Sequence, residues 1–128
     1  MEEKRKLILI DTDIFIDFFR GVKVAEEFIL KNIDKILFSA ITESELLSGK
    51  ICNDSIEEER VLHFLSQFEK IPVDNPLVQV AGRFKRNFNM ALPDAIIAAS
   101  AFDNDAILIT RNIKDFSKVG DIIVDKPY

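Results

Sequence analysis

The chain has 128 residues, of which 48% are hydrophobic and 30% are charged. This length and balance fit one folded domain over residues 1–128 and exclude a disordered chain, because enough apolar surface can be buried. The formal net charge of −5 argues against a protein that holds nucleic acid by bulk electrostatics, since such proteins carry a basic face. It does not exclude nucleic acid as a substrate, because an acidic pocket filled with divalent cations attracts phosphates locally.

The apolar runs and the amphipathic segments predict alternating strands and helices. The strands are expected at residues 7–10, 36–38, 71–73, 106–109 and 122–124. Helical spacing of apolar residues occurs at 14–20, 23–32, 56–69, 76–88 and 94–103. Since strands alternate with helices, we expect an α/β fold, a three-layer α/β/α sandwich with a mainly parallel central sheet.

Cysteine content and the N-terminal segment bear on the compartment. The single cysteine, Cys52, excludes an internal disulfide, and we interpret it as a small buried or loop residue. The apolar run at 7–10 follows a charged N-terminus, but it is far too short for a signal peptide or a membrane span. We therefore expect a cytoplasmic protein without a membrane partner.

Acidic side chains follow several of the predicted strands. The first strand ends abruptly in Asp11 and Asp13. In open α/β sheets the carboxyl ends of the strands form the edge where ligands bind. Three further acidic residues are expected near the same edge: Glu45 in the first turn of the helix after 36–38, Asp94 at the start of the helix at 94–103, and Asp115 just past 106–109.

Each of these acidic residues also has a simple structural explanation. Thr42 and Glu45 have the spacing of a capping box, Asp94 suits the positive end of a helix dipole, and Asp115 suits a solvated loop. Four carboxylates at one edge, however, would repel one another by about 4 kcal/mol per close pair at an effective dielectric of 20, and so would need a counterion. Oxygen ligands without histidine or cysteine select Mg²⁺ or Mn²⁺ rather than zinc. The only histidine, His63, is expected to be a packing or surface residue of a helix.

Four segments carry a resemblance to a known family. They are residues 9–13 (LIDTD), 41–49 (ITESELLSG), 92–99 (LPDAIIAA) and 110–116 (TRNIKDF). In this order and at this spacing they resemble a PIN domain and, more narrowly, the VapC-type toxin ribonucleases of bacterial and archaeal toxin–antitoxin pairs. The resemblance covers almost the whole chain.

The resemblance implies an endoribonuclease that depends on Mg²⁺ or Mn²⁺. Asp11, Glu45, Asp94 and Asp115 would be the catalytic and metal-binding residues, with Asp115 at the fourth acidic position. A water activated by the metal would attack the RNA phosphodiester, which predicts products with 5′-phosphate and 3′-hydroxyl ends. A supporting polar shell would comprise Thr12, Asp13, Thr42, Thr110 and Asn112. In that shell Asp13 would bind metal or cap a helix, and Asn112 would coordinate the metal or orient a water.

The resemblance also implies a homodimer that is silenced by a separately encoded antitoxin. Phe15, Phe18 and Phe19 are candidates for the antitoxin groove or the dimer surface; a place in the core is the alternative, and it is favoured for Phe15 and Phe18. Residues expected to contact RNA are Arg83, Lys85, Arg86 and Arg111. For the basic cluster at 83–86 the alternative is a solvated helix face.

Two other functions are compatible with part of the pattern. A phosphatase of the haloacid dehalogenase type would use Asp11 as nucleophile and Asp13 as acid and base. A phospho-acceptor signalling domain would use Asp11, Asp13, Asp74, Thr110 and Lys126. The second interpretation assigns no role to the other three predicted carboxylates.

Overall fold

The computed structural model describes residues 6–128, and these residues contain one five-stranded sheet. All strand pairs are parallel, in the order β3-β2-β1-β4-β5. The strands are β1 (Ile8–Ile10), β2 (Ile36–Ser39), β3 (Glu69–Ile71), β4 (Ile107–Ile109) and β5 (Val124–Asp125). Because the strands are parallel, their carboxyl ends share one edge, called here the carboxyl edge.

Helices connect the strands and cover the sheet. They are α1 (Thr12–Phe19), α2 (Lys23–Lys31), α3 (Ala40–Leu47), α4 (Ser55–Leu65), α5 (Asn75–Phe88), α6 (Leu92–Asp103) and α7 (Ile113–Phe116), with a 3₁₀ turn at Lys50–Cys52. None of the helices within residues 6–128 is long and apolar enough to cross a membrane.

Each face of the sheet has its own core. Leu9, Leu37 and Leu108 belong to a buried cluster that also contains side chains of α5 and α6. Ile10 and Phe38, which point to the opposite face, belong to a second cluster formed with α1, α2 and α4. Full burial of a leucine or isoleucine side chain contributes about 1.5–3 kcal/mol, so the two clusters hold both helical layers on the sheet. The predicted α/β/α sandwich with a parallel sheet is thereby confirmed.

Two predicted strands are displaced. The third was predicted at 71–73 but runs from Glu69 to Ile71, because β3 is an edge strand with exposed polar residues and Pro72 has no N–H for the ladder. The fifth was predicted at 122–124 but contains Val124 and Asp125, since the Ile122 N–H donates to a turn carbonyl instead. Apolar runs alone missed both boundaries.

Helix boundaries also differ from the prediction. α1 begins at residue 12 rather than 14, because the Asp11 carboxylate caps it. α4 ends at Leu65 rather than at residue 69; Phe68 belongs to the following turn, although its side chain is buried. The amphipathic stripe therefore continued past the end of the helix.

The other side chains singled out above lie as follows. Phe15 is fully buried in the core, as favoured, whereas Phe18 and Phe19 are half-buried. His63 is exposed on α4, which confirms a surface position. Cys52 is half-buried and ends the 3₁₀ turn.

Candidate active site

Asp11 lies at the carboxyl edge directly after β1. Its side chain is 7% exposed, and both of its oxygens are bonded. Oδ1 accepts a hydrogen bond from the Thr12 backbone N–H (2.8 Å), and Oδ2 accepts one from the Thr110 hydroxyl (2.7 Å). Thr110 follows β4, the neighbour of β1, so the pairing of these strands brings the two residues together. The carboxylate is therefore held in one orientation.

The environment of Asp11 opposes its ionisation. Burial raises the pKa of Asp11 to about 7, and the nearby charge of Asp13 adds to the effect. The hydrogen bonds from Thr110 and Thr12 act in the opposite direction, and Asp94 contributes a smaller increase. A positive partner beside Asp11 would favour its ionised form.

Glu45 reaches the same edge from α3, but not from the first turn of that helix. Ser39 is the N-cap, with its hydroxyl accepting a hydrogen bond from the backbone N–H of Ile41 (3.2 Å), so α3 begins at Ala40. Glu45 therefore lies in the second turn. The capping-box interpretation of Thr42 and Glu45 is wrong.

Thr12 and Thr42 form the link between Glu45 and the start of α1. The Thr12 hydroxyl donates to Oε1 of Glu45 (2.7 Å) and lies 2.9 Å from the Thr42 hydroxyl. Since Thr12 gives its only hydroxyl proton to Glu45, Thr42 must be the donor to Thr12. Both threonines are buried. Their hydroxyl groups hold the Glu45 carboxylate in position.

Asp94 enters the site from the first turn of α6. Burial is the largest cause of its raised pKa, followed by the charges of Glu45, Asp115 and Asp13. These interactions show that carboxylates from α1, α3, α6 and α7 lie within electrostatic reach of one another. Asp94 is thus the residue on which the charges of the other three carboxylates act.

Asp115 lies on α7, just beyond β4, and Asn112 orients it. The Asn112 side chain donates to Oδ2 of Asp115 (3.1 Å), while its backbone N–H donates to the Thr110 hydroxyl (2.9 Å). Lys118 lies 3.7 Å from the other oxygen of Asp115. Asp94 and Asp115 line a common cavity of about 130 Å³.

Asp13 occupies the first turn of α1 and does not cap the helix, because Asp11 does. One oxygen, Oδ2, accepts the Arg111 backbone N–H (3.3 Å) and lies 3.9 Å from the Arg111 guanidinium. The other, Oδ1, is buried and has no hydrogen-bond partner within residues 6–128. Burial raises the pKa of Asp13, and Arg111 opposes that effect. An unpaired buried carboxylate oxygen is a further indication of room for a positive ligand.

Arg111 is held by carboxylates rather than free at the surface. Its Nε lies 2.8 Å from Oδ2 of Asp17, and a terminal nitrogen lies 3.4 Å from Oδ1. The Tyr128 hydroxyl donates to Asp17 as well, and burial together with this bond raises the pKa of Tyr128. Asp17 was not predicted from the sequence as part of the site. The pattern that could have indicated it is the spacing of four residues from Asp13, which places both side chains on one face of α1.

The other predicted RNA-contact residues lie on α5. Arg83, Lys85 and Arg86 are all exposed, while Phe84 between them is buried. The helix ends at Asn89 in a left-handed conformation, and residues 89–91 lead directly to α6. The last turn of α5 thus lies one short loop away from Asp94.

The chemistry of this donor set fits a hard cation. Four carboxylates and one amide offer only oxygen ligands, and burial together with mutual repulsion opposes the charges of Asp11 and Asp94. However, in the part of the chain that the structure describes, no group of three histidine, cysteine, aspartate or glutamate side chains is arranged to hold a metal ion. The site contains the oxygen ligands that Mg²⁺ and Mn²⁺ prefer, but among the described residues these ligands are not arranged in a coordination geometry.

Known proteins share this fold and sequence pattern. A model of the PIN domain matches residues 8–122. The chain belongs to the PIN domain family. It is 29% identical over 117 residues to Ribonuclease VapC10 of Mycobacterium tuberculosis, with 86% of each chain covered.

Solved structures agree with this assignment of the PIN domain. A toxin–antitoxin complex from Klebsiella pneumoniae superposes with a TM-score of 0.83 and 32% identity, covering 94% of this chain and 98% of the other. A DNA-bound VapBC structure from Salmonella typhimurium has a TM-score of 0.81 at 21% identity, covering 97% and 100%, and shows the common fold.

The two alternative functions have no support. For a phospho-acceptor domain Asp74 should approach Asp11, but β2 separates β3 from β1. Asp74 instead caps α5 by accepting the Leu77 N–H (3.1 Å). Membership of the PIN domain family likewise leaves the phosphatase interpretation, with Asp11 as nucleophile and Asp13 as acid and base, without support.

Proposed function

We propose that residues 1–128 act as one nuclease domain, a metal-dependent endoribonuclease that is the toxin of a toxin–antitoxin pair. The observation that carries the proposal is the convergence of acidic side chains from four helices or strand ends at the carboxyl edge of a PIN domain. The ribonuclease name of the Mycobacterium tuberculosis relative and the toxin–antitoxin complex from Klebsiella pneumoniae support the same function.

Asp11, Glu45, Asp94 and Asp115 would hold Mg²⁺ or Mn²⁺ in this proposal. The ion would supply Lewis-acid polarisation of the phosphodiester and a lowered pKa for an attacking water. The side chains around these carboxylates fix their positions. Thr110 holds Asp11 and Thr12 holds Glu45.

Asn112 has a corresponding role for Asp115. Its side-chain NH₂ group donates a hydrogen bond to the Asp115 carboxylate (3.1 Å). We assign it to orientation of Asp115 through the hydrogen bond.

The basic residues divide into two groups. Arg83, Lys85 and Arg86 are exposed near the start of α6 and would contact RNA phosphates at the edge of the site. Arg111 is bound by Asp17 and faces Asp13, so we assign it chiefly to compensation of the negative charge there. Its outward donors could still reach a phosphate, because a guanidinium has five N–H groups and only part of them are used.

An antitoxin would cover the half-buried aromatic surface formed by Phe18, Phe19 and Phe64. The rings of Phe18 and Phe64 stack at 4.4 Å, and these residues line a cavity of about 390 Å³ between α1, α2 and α4. Partly exposed aromatic clusters of this kind are common at protein interfaces. We further propose that the toxin is a homodimer and acts in the cytoplasm, where its RNA substrate is available.

The test is RNA cleavage by purified protein with Mg²⁺, with Mn²⁺ and with EDTA. Asp11→Asn and Asp94→Asn should abolish cuts that occur with either metal, because each removes a ligand charge. Asp103→Asn is the matched control: it changes an exposed aspartate at the other end of α6. Cleavage that survives in EDTA or in Asp94→Asn would contradict the proposal.

A further inference from the structure

A second cavity opens beside the carboxylates, between α1, α3 and the 3₁₀ turn. Its volume is about 350 Å³, within the range of small-molecule binding sites. Glu45 forms part of its wall, and the same residue acts electrostatically on Asp94. Glu45 therefore belongs both to the wall of this cavity and to the group of carboxylates in the proposed catalytic site.

The lining of this cavity combines an apolar surface with two cations. Ile16, Leu46 and Ile51 provide the apolar part. Arg20 and Lys50 also line the cavity. Both basic residues are exposed, and neither forms an ion pair with any residue from 6 to 128. Arg111, by contrast, already has Asp17 as a partner.

The neighbouring aromatic cavity lacks this combination. Its arginine, Arg60, is bound to Glu57 (2.7 Å), and Glu26 adds a negative charge to the lining. Of these two cavities, only the one lined by Arg20 and Lys50 has basic side chains without an ion-pair partner among residues 6–128. In a chain with a net charge of −5, such a pair beside an acidic site favours an anionic ligand.

We propose that the cavity lined by Ile16, Leu46, Ile51, Arg20 and Lys50 is a nucleotide subsite for the RNA residue next to the scissile phosphate. The apolar side chains contact the base, and Arg20 and Lys50 bind the phosphates that flank it. Sequence-specific recognition of single-stranded RNA uses bases that are removed from the stack and so become accessible to side chains. This inference rests on the proposed ribonuclease function and extends it to substrate selection.

Loss of the subsite should affect the binding of RNA and not the rate of the chemical step. Arg20 and Lys50 hold the substrate without contacting the reacting phosphate, so their loss should weaken binding while the chemical step continues. The double variant Arg20→Gln/Lys50→Gln should raise KM about tenfold or more and leave kcat within about twofold. The slope of log KM against log salt should fall by about 0.7 for each lost phosphate contact.

Ile51→Trp tests the base-binding part of the subsite separately. The larger side chain reduces the space on the apolar side of the cavity, so the base preference at one position next to the cut should change. Sequencing of the products from a randomised RNA pool measures that preference. For the substitutions of Arg20 and Lys50, Lys31→Gln is the matched control. This exposed lysine lies at the end of α2, which leads to the opposite edge of the sheet.

A binding assay separates this inference from the proposed function. A labelled 12-nucleotide RNA pool is titrated in the Asp94→Asn background, and anisotropy gives Kd with and without the cavity substitutions. Weaker RNA binding by the double variant supports the subsite even if the wild-type protein cuts none of the RNAs supplied, a result that would count against the proposed function alone. Unchanged Kd, KM and cut-site preference would overturn the subsite. The subsite would also be overturned if the variants bound RNA normally but no longer bound an antitoxin peptide. The cavity would then be a protein-binding site.

Discussion

Replacement of Asp11 by asparagine should stabilise the metal-free protein at neutral and alkaline pH while it abolishes activity. Burial and the charge of Asp13 raise the pKa of Asp11 from its ordinary value of 3.8 to about 7. A carboxyl group whose pKa is higher in the folded state binds its proton more tightly there. Its contribution to stability is complete below pH 4 and is lost as the pH rises towards 7.

The size of this effect follows from the difference of about three pKa units. At 1.36 kcal/mol for each unit, ionisation of Asp11 costs the metal-free fold about 4 kcal/mol above pH 7. Asparagine carries no charge and removes this cost. It also leaves the Thr110 hydroxyl proton without its carboxylate acceptor, a loss of about 1 kcal/mol. The net gain is about 3 kcal/mol, or about 10 °C in Tm for a domain of this size.

The assay is thermal unfolding of wild type and Asp11→Asn in EDTA, from pH 5 to pH 8. The difference between the two proteins should be small at pH 5 and grow to about 10 °C at pH 8. Mg²⁺ should reduce that difference, because a cation at the site favours the ionised carboxylate. Asp103→Asn, with its exposed side chain, should follow the wild type throughout. A difference that is constant with pH, or an Asp11→Asn protein less stable than wild type at pH 8, would show that ionisation of Asp11 does not destabilise the metal-free fold.

Two other substitutions test the supporting contacts. Thr12→Val removes the hydroxyl that donates to Glu45 and accepts from Thr42, so kcat/KM should fall about 10- to 100-fold, and Thr12→Ser should restore most of it. Equal loss in Thr12→Ser would show that the methyl group, not the hydroxyl, is what matters. Phe64→Ala should weaken antitoxin binding and cost about 2 kcal/mol of stability, less than a fully buried phenylalanine. Phe102→Ala on α6 is its control, and equal antitoxin affinity of both variants in a calorimetric titration would remove Phe64 from the interface.

Sequence patterns predicted the sheet and the acidic edge because both depend on local signals. An uninterrupted apolar run such as β1 needs cover on both faces, and the residue after it must lie at the carboxyl edge. β3 gave no such signal, because an edge strand keeps polar residues exposed. Its position depends on pairing with β2, which is a tertiary interaction.

The supporting contacts of the site were less predictable. Thr42 and Glu45 fit a capping box equally well in sequence, and only the position of Ser39 as the true N-cap decided between the two. Arg20 and Lys50 carry no local pattern, since their cavity exists only where α1 packs beside α3. Such residues become visible when helices that are distant in sequence come together.

End-group mapping of the RNA fragments that the metal-loaded protein produces distinguishes hydrolysis by a metal-activated water from other cleavage chemistry. Total RNA is incubated with the protein in Mg²⁺ or EDTA, and fragments are sequenced by ligation that requires a 5′-phosphate. The account predicts discrete sites with 5′-phosphate and 3′-hydroxyl ends in Mg²⁺ and none in EDTA. Fragments with 5′-hydroxyl ends, or the same sites in EDTA, would contradict hydrolysis at a metal site built from Asp11, Glu45 and Asp94.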